Sequence, residues 1–279
     1  MNSILITGSA TGIGRVLVDE FLAKGWLVYA TMRRLEERKN LFEDAAKLYP
    51  TQLKLLELDV CEPAAQDRVA QIFAAGSLDI LINNAGYALF GPLETLSDEQ
   101  VNKQILTNIT APMMLTRRLL PALRRGKGAV INISSVMSFV GFPLSSAYCA
   151  SKAALTSFSE ALYHELSPHG VKVYAVEPGG YRTDFGNNIQ WGARQAPEYL
   201  TQLSGYQALR NRLSAGKGRP PQEVTNLVLK LAEDRPFAIR HRVGADSVVS
   251  GWLIKWVPEN PRMWILGKFF RKIIGGQTS

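Results

Sequence analysis

The sequence predicts an α/β fold, a doubly wound, mostly parallel sheet with helices on both faces, formed as one domain. Three observations predict it. Apolar strand-like runs alternate with amphipathic helical runs along the 279 residues, an order that sets strands side by side with helices crossing between them. The strand-like runs are nearly continuous in Ile, Leu and Val, as in strands buried on both faces. Several of them end in Gly, Asn, Ser or Asp, which gathers polar groups at the carboxyl ends of the strands, where such sheets bind ligands.

Taken in order, residues 3–8 (SILITG) form the first strand and 14–24 the first helix. Residues 26–32 (WLVYATM) and 53–60 (LKLLELDV) supply the second and third strands, and a helix opens at Pro63, a residue preorganised for a first helical turn. Strands follow at 78–86 (LDILINNAG), 128–135 (GAVINISS) and 171–180 (VKVYAVEPGG), with 239–246 (IRHRVGAD) a weaker seventh. Helical periodicity occupies 97–124, 148–167 and 222–233. No Pro/Gly/Ser linker, repeat or low-complexity run divides the chain.

Composition narrows the function. With 46% hydrophobic and 20% charged residues the chain can bury a core without staples, and Cys61 and Cys149 imply no disulfide framework. The N-terminus runs straight into an apolar strand without a cleavage signature, so the protein reads as cytoplasmic. No apolar run reaches the roughly 18 to 20 residues that span a bilayer. His164, His169 and His241 have no metal-ligand spacing, so no metal site is expected. Half of the net charge of +8 lies beyond Trp252, and no zinc-finger or RNA-binding motif accompanies it, which argues against nucleic acid.

Tyr148 and Lys152 stand four apart in a helical run, on one face. A charged lysine near a phenol lowers its pKa and makes it a usable acid or base; a half-buried ring beside a solvated charge is the other reading. The stretch 7–14 (TGSATGIG) places Gly8, Gly12 and Gly14 between a strand and a helix, where backbone can approach a pyrophosphate or simply turn tightly. About 20 residues on, the second strand ends at Arg33 and Arg34 before any carboxylate, which suits a 2′-phosphate. That favours NADP over NAD, unless both arginines are a solvated helix start.

TGSATGIG, NNAG at 83–86, NISS at 132–135, YCASK at 148–152 and EPGGYRT at 177–183 together resemble the ordered motif set of the short-chain dehydrogenase/reductase family. The resemblance implies a Rossmann-like fold. It also implies an acid/base role for Tyr148, ribose binding and pKa lowering for Lys152, and substrate hydrogen bonding for Ser135, thirteen residues before Tyr148. Asn108 matches an asparagine of a proton relay, or is a packing amide at a helix kink. Cofactor binding falls on Thr7, Gly8, Gly12, Ile13 and Gly14, on Arg33 and Arg34, on Asn83, Ala85 and Gly86, on Tyr148 and Lys152, and on Pro178, Gly179 and Thr183. Asp59 matches an adenine contact, or caps a turn. Tyr181 departs from the small aliphatic residue often found at its place.

Residues 184–220 fit a variable substrate lid with Phe185, Trp191, Tyr199 and Tyr206; Met137, Phe139, Phe142 and Leu144 add to an apolar pocket. A lipophilic alcohol and its ketone or aldehyde are therefore the expected substrates, and VYATMRR and EPGGYRTDF look most like relatives acting on retinoids and steroids. The rival reading is a noncatalytic dinucleotide-binding sensor. Residues 252–279 form a basic extension in which Leu266, Phe269, Phe270 and Ile273 share a helix face opposite Lys268, Arg271 and Lys272. That helix covers the pocket or a subunit interface, or else lies on an anionic membrane surface. The resemblance implies a homodimer or homotetramer.

Overall fold

In the first strand, β1 (Ser3–Ile6), side chains alternate between two buried layers, so that Ile4 and Ile6 enter one core and Leu5 the other. A computed structural model describes residues 1–181, 189–194, 196–212 and 219–274, without the side chains of 210–212, 273 and 274. The remaining long strands are β2 (Leu27–Met32), β3 (Leu53–Glu57), β4 (Ile80–Asn83), β6 (Ala129–Ile133), β7 (Lys172–Pro178) and β9 (Arg240–Val243). They form one parallel sheet in the order β3-β2-β1-β4-β6-β7-β9. All seven runs read as strands are strands. Two short strands, β5 (Leu89–Phe90) and β8 (Gln190–Trp191), pair separately.

The strand order reverses between β1 and β4, and the ligand crevice of such a sheet opens at that point. One face is covered by α1 (Gly12–Ala23) and α9 (Gln222–Asp234), which contribute Leu17, Phe21, Val224 and Val228. The short α2 (Leu35–Arg38) and α3 (Glu43–Leu48) follow β2. The opposite face is covered by α4 (Pro63–Ile72), α6 (Ala111–Arg125) and α7 (Ser146–Leu166), through Val69, Leu115, Leu119 and Leu162.

The long helix expected over 97–124 is divided. A capping box between Ser97 and Gln100 starts α5 (Asp98–Ile105), a π-helical turn occupies Leu106–Thr110, and α6 continues. Beyond β8 lie α8 (Leu200–Arg212), α10 (Ala245–Trp256) and α11 (Glu259–Ile274), the last packed against α8. Among the described residues, no helix is long and apolar enough to cross a membrane. Thr183 and Phe185 lie outside the described residues, as does the side chain of Ile273.

Candidate active site

The loop after β1 is built around Thr7. Its hydroxyl donates to the Ile82 carbonyl and accepts the N–H groups of Asn84 and Ala85 at 3.0 Å, which ties the ends of β1 and β4 together. Asn84 donates back to the Thr7 and Gly8 carbonyls. Gly8 has φ +67, and a Cβ there would come within 2.9 Å of Ala85 Cα. A Cβ on Gly14 would overlap the Gly8 carbonyl oxygen. Ile13 packs its side chain on the core. Thr11, at the start of α1, makes no side-chain cap, and no carboxylate enters the first turn. The helix therefore offers its first amides to an anion, and the loop fits a pyrophosphate.

Arg33 and Arg34, both exposed, meet Arg38 and Arg68 around a cleft of about 360 Å³. Glu57, Asp59 and Glu62 also line it. Sequence reasoning missed Arg38 and Arg68, because only the fold brings α2 and α4 to the same cleft. Asp59 accepts the Cys61 N–H at 2.9 Å, so its carboxylate caps a turn beside the cleft. Asn83 turns inward: its amide donates to Thr116 and to Asn132, which donates to Ser159. That buried chain of amides and hydroxyls joins α6, the sheet and α7. Gly86 lies against Asn108 and the Lys152 ammonium.

Tyr148 and Lys152 both enter from the first turns of α7 and are buried. Tyr148 hydrogen-bonds the side chain of Ser135. Ser135, at the start of a 3-10 turn over Val136–Ser138, also accepts the Met137 N–H. Lys152 Nζ lies 5.9 Å from the Tyr148 ring centre and donates to the Ile133 carbonyl at 2.8 Å. The Tyr148 phenol is shifted up. Burial outweighs the Ser135 hydrogen bond and pushes the phenol well above its usual range, while burial brings Lys152 down to about 8. Asn108, in the π-helical turn, donates to the Tyr87 carbonyl and to Ser151 and accepts the Tyr87 N–H. It thus secures the strand end beneath the pair.

An aromatic cluster surrounds Tyr148. Phe90 lies 6.1 Å from it, with Tyr206 and Trp191 at 5.0 and 6.0 Å from Phe90. Met137, Phe142, Leu144 and Tyr199 belong to the same cluster. Phe139 does not. It lies under the guanidinium groups of Arg240 and Arg242, which flank the fully buried Glu177. The period-two pattern of β9 puts both arginines on one side, and Glu177 also accepts from Ser138.

At the end of β7, Pro178 closes the strand and Gly179 packs so tightly on Asp246 that a Cβ would overlap it. Tyr181 donates to Glu223 at 2.6 Å, carries the Arg219 guanidinium on its ring and bridges to Arg219 through the backbone. That place for the unusual tyrosine is at the base of the segment 182–218, where no residue pattern had indicated a partner.

A profile of the family described as short chain dehydrogenase matches residues 2–193. The chain is 30% identical over 277 residues to a 3-ketodihydrosphingosine reductase of Bacteroides thetaiotaomicron, covering 96% of this chain and 97% of that one. A short-chain dehydrogenase from Streptomyces avermitilis superposes with a TM-score of 0.82 at 29% identity, over 98% of this chain and 99% of the other. One from Burkholderia cenocepacia, solved in complex with NADP, gives 0.73 at 25% identity over 92% and 93%. With its parallel sheet, crossover glycine loop and Ser135, Tyr148 and Lys152 at one crevice, the chain belongs to the short-chain dehydrogenase family of oxidoreductases, which act on CH–OH groups with a nicotinamide dinucleotide.

Proposed function

We propose that the protein is an NADP(H)-dependent oxidoreductase that interconverts a lipophilic alcohol and its ketone or aldehyde, with Tyr148 as acid and base. The observation that carries this reading is the Ser135–Tyr148 hydrogen bond inside an aromatic cluster, with Lys152 on the same helix face. Phe90, Phe142, Trp191, Tyr199 and Tyr206 offer an apolar seat to a carbonyl compound, and a relative named for a keto sphingoid base agrees with that preference.

Ser135 orients the substrate oxygen, and Tyr148 gives it a proton during reduction or takes one during oxidation. A raised phenol pKa keeps that proton in place until charge develops on the substrate oxygen. The bound nicotinamide supplies the hydride. Lys152 holds the cofactor side of the site, and Thr7, Gly8, Gly12, Ile13 and Gly14 hold the pyrophosphate, with Ala85, Gly86, Pro178, Gly179 and Thr183 along the nicotinamide half. Arg33 and Arg34, with Arg38 and Arg68, bind the 2′-phosphate, the reason for preferring NADP to NAD. A complex of a structural neighbour with NADP supports the same preference.

The test is NADPH oxidation with a series of apolar ketones and aldehydes. Wild type should turn over at least one of them, and Tyr148→Phe should lose on the order of 100-fold or more, the scale of general acid–base catalysis. Equal rates in the two would overturn the mechanism.

A further inference from the structure

The sequence gives α11 an apolar face with Phe269 on it, and the structure divides that face. Leu266 and Phe270 turn inward. Phe270 meets Phe142 edge to face at 4.8 Å, and Phe142 meets Tyr206 at 5.7 Å, so the helix roofs the aromatic cluster that encloses Tyr148. Phe269 turns outward and is half exposed. It joins Met263, Trp264 and Ile265, all exposed, on a surface that also carries Lys268, Arg271 and Lys272. The neighbouring α10 adds Trp252 and Trp256, 62% and 63% exposed, together with Lys255.

We propose that this outer face of α11, with the end of α10, docks on an anionic lipid surface. Charge selects the occupant. Four exposed cations stand on the face with Glu259 the one acidic residue of α11, and Arg262 is engaged within the molecule by the Ile254 carbonyl. The Lys268 ammonium lies 3.9 Å from the Trp264 ring centre, and the Lys255 ammonium 5.2 Å from that of Trp256. Indole rings and lysines placed together suit the headgroup level of a bilayer, where rings sink to the acyl boundary and ammonium groups reach lipid phosphates. A second copy laid symmetrically on the same face would oppose like charges. α11 is 16 residues long and carries five charged residues, so it is suited to lie on a membrane and not to cross one.

Docking would set the roof of the pocket against the bilayer. Phe269 and Phe270 are ring neighbours at 5.6 Å, one outward and one over the cluster. A lipophilic substrate dissolved in the bilayer would then reach the pocket without crossing water. This delivery step rests on the proposed substrate class; the docking does not.

The experiment uses the full chain and sedimentation with phosphatidylcholine vesicles, with and without phosphatidylglycerol. Sedimentation should occur with the anionic vesicles and fall with salt. Lys268→Glu with Lys272→Glu should weaken it at least about 25-fold, since each lost cation weakens binding about fivefold. Trp264→Ala should weaken it without altering the charge. Turnover of a water-soluble ketone should be unchanged in both variants, which shows that they fold. Equal sedimentation of wild type and charge-reversed protein, or equal sedimentation with both vesicle types, would overturn the docking. A change of assembled mass on charge reversal, without vesicles, would assign the face to a contact between copies and also overturn it. Vesicle binding without turnover of any ketone would refute the proposed activity and leave the docking standing.

Discussion

Lys152 is buried, with the Ile133 carbonyl as its hydrogen-bond acceptor, and its pKa falls from 10.5 to about 8. Between those values the unfolded chain binds a proton that the native chain does not. The contribution of this lysine to stability therefore rises with pH through that window, and below about pH 8 the full penalty of burying an ammonium is present. Lys152→Met should stabilise the protein at neutral pH by up to roughly 3 kcal/mol, less about 1 for the lost hydrogen bond. The gain should vanish above pH 10.5. Denaturant melts of both proteins at several pH values measure it, and a gain that grows with pH would refute the assignment. Tyr148 has the opposite sign, because its raised pKa makes the native state the proton holder above pH 10.0, but both proteins share that limb. An enzyme that keeps this lysine accepts lower stability at its site for the sake of a cation beside the acid.

At the level of elements, the π-helical turn over Leu106–Thr110 is anchored by Asn108, with Thr107 hydrogen-bonded to Cys61. Asn108 satisfies both backbone groups of Tyr87 and bonds Ser151, whose hydroxyl in turn donates to the Tyr148 carbonyl. Asn108→Ala would leave the buried Tyr87 N–H without its partner, while Gln104 still donates to the Tyr87 carbonyl, at a cost of roughly 1 to 3 kcal/mol. The urea midpoint should drop while its slope stays constant. Six of the seven long strands were legible because continuous Ile, Leu and Val runs have few other uses in a chain of this size, whereas β9, with its sequence RHRV, was the weakest reading. The π-helical turn was not, because a register of one extra residue leaves no mark on a 3.6-residue pattern. β5 and β8 are too short for any periodicity. Tyr148 and Lys152 were legible as a pair through their spacing on one helix, and Ser135 only through the family resemblance. Arg68 was not, because nothing in the sequence tells how α4 will face α2. Phe139 was assigned to the pocket from its neighbours, yet β9 brings two cations for its ring.

Across the whole molecule, the net charge of +8 is not spread evenly: half of it lies beyond Trp252, while the cleft at the ends of β2 and β3 sets four arginines beside Glu57, Asp59 and Glu62. Four guanidinium groups at one cleft should make NADPH bind more tightly than NADH, with an advantage that shrinks as salt rises. Arg34 has φ +53, a left-handed conformation that glycine adopts freely, so Arg33→Ala with Arg34→Gly removes both forks without straining the backbone. That variant should lose roughly tenfold or more in NADPH affinity by fluorescence titration and leave NADH affinity unchanged, on the scale of a charged hydrogen bond. Equal losses for both nucleotides would return these arginines to the surface. The backbone bridge between Tyr181 and Arg219 has a different reach. The chain departs from the sheet and returns to it at adjacent points, fastened there by Glu223 and Asp246. Closing a loop costs only about 0.6 kcal/mol more for each doubling of its length. The stretch between these points can thus change in length at little entropic cost, provided that it still supplies β8, α8 and the rings that pack on Phe90. Descendants of such a scaffold can change what they act on by replacing one cassette, while the acid, the lysine and the nucleotide cleft are inherited intact.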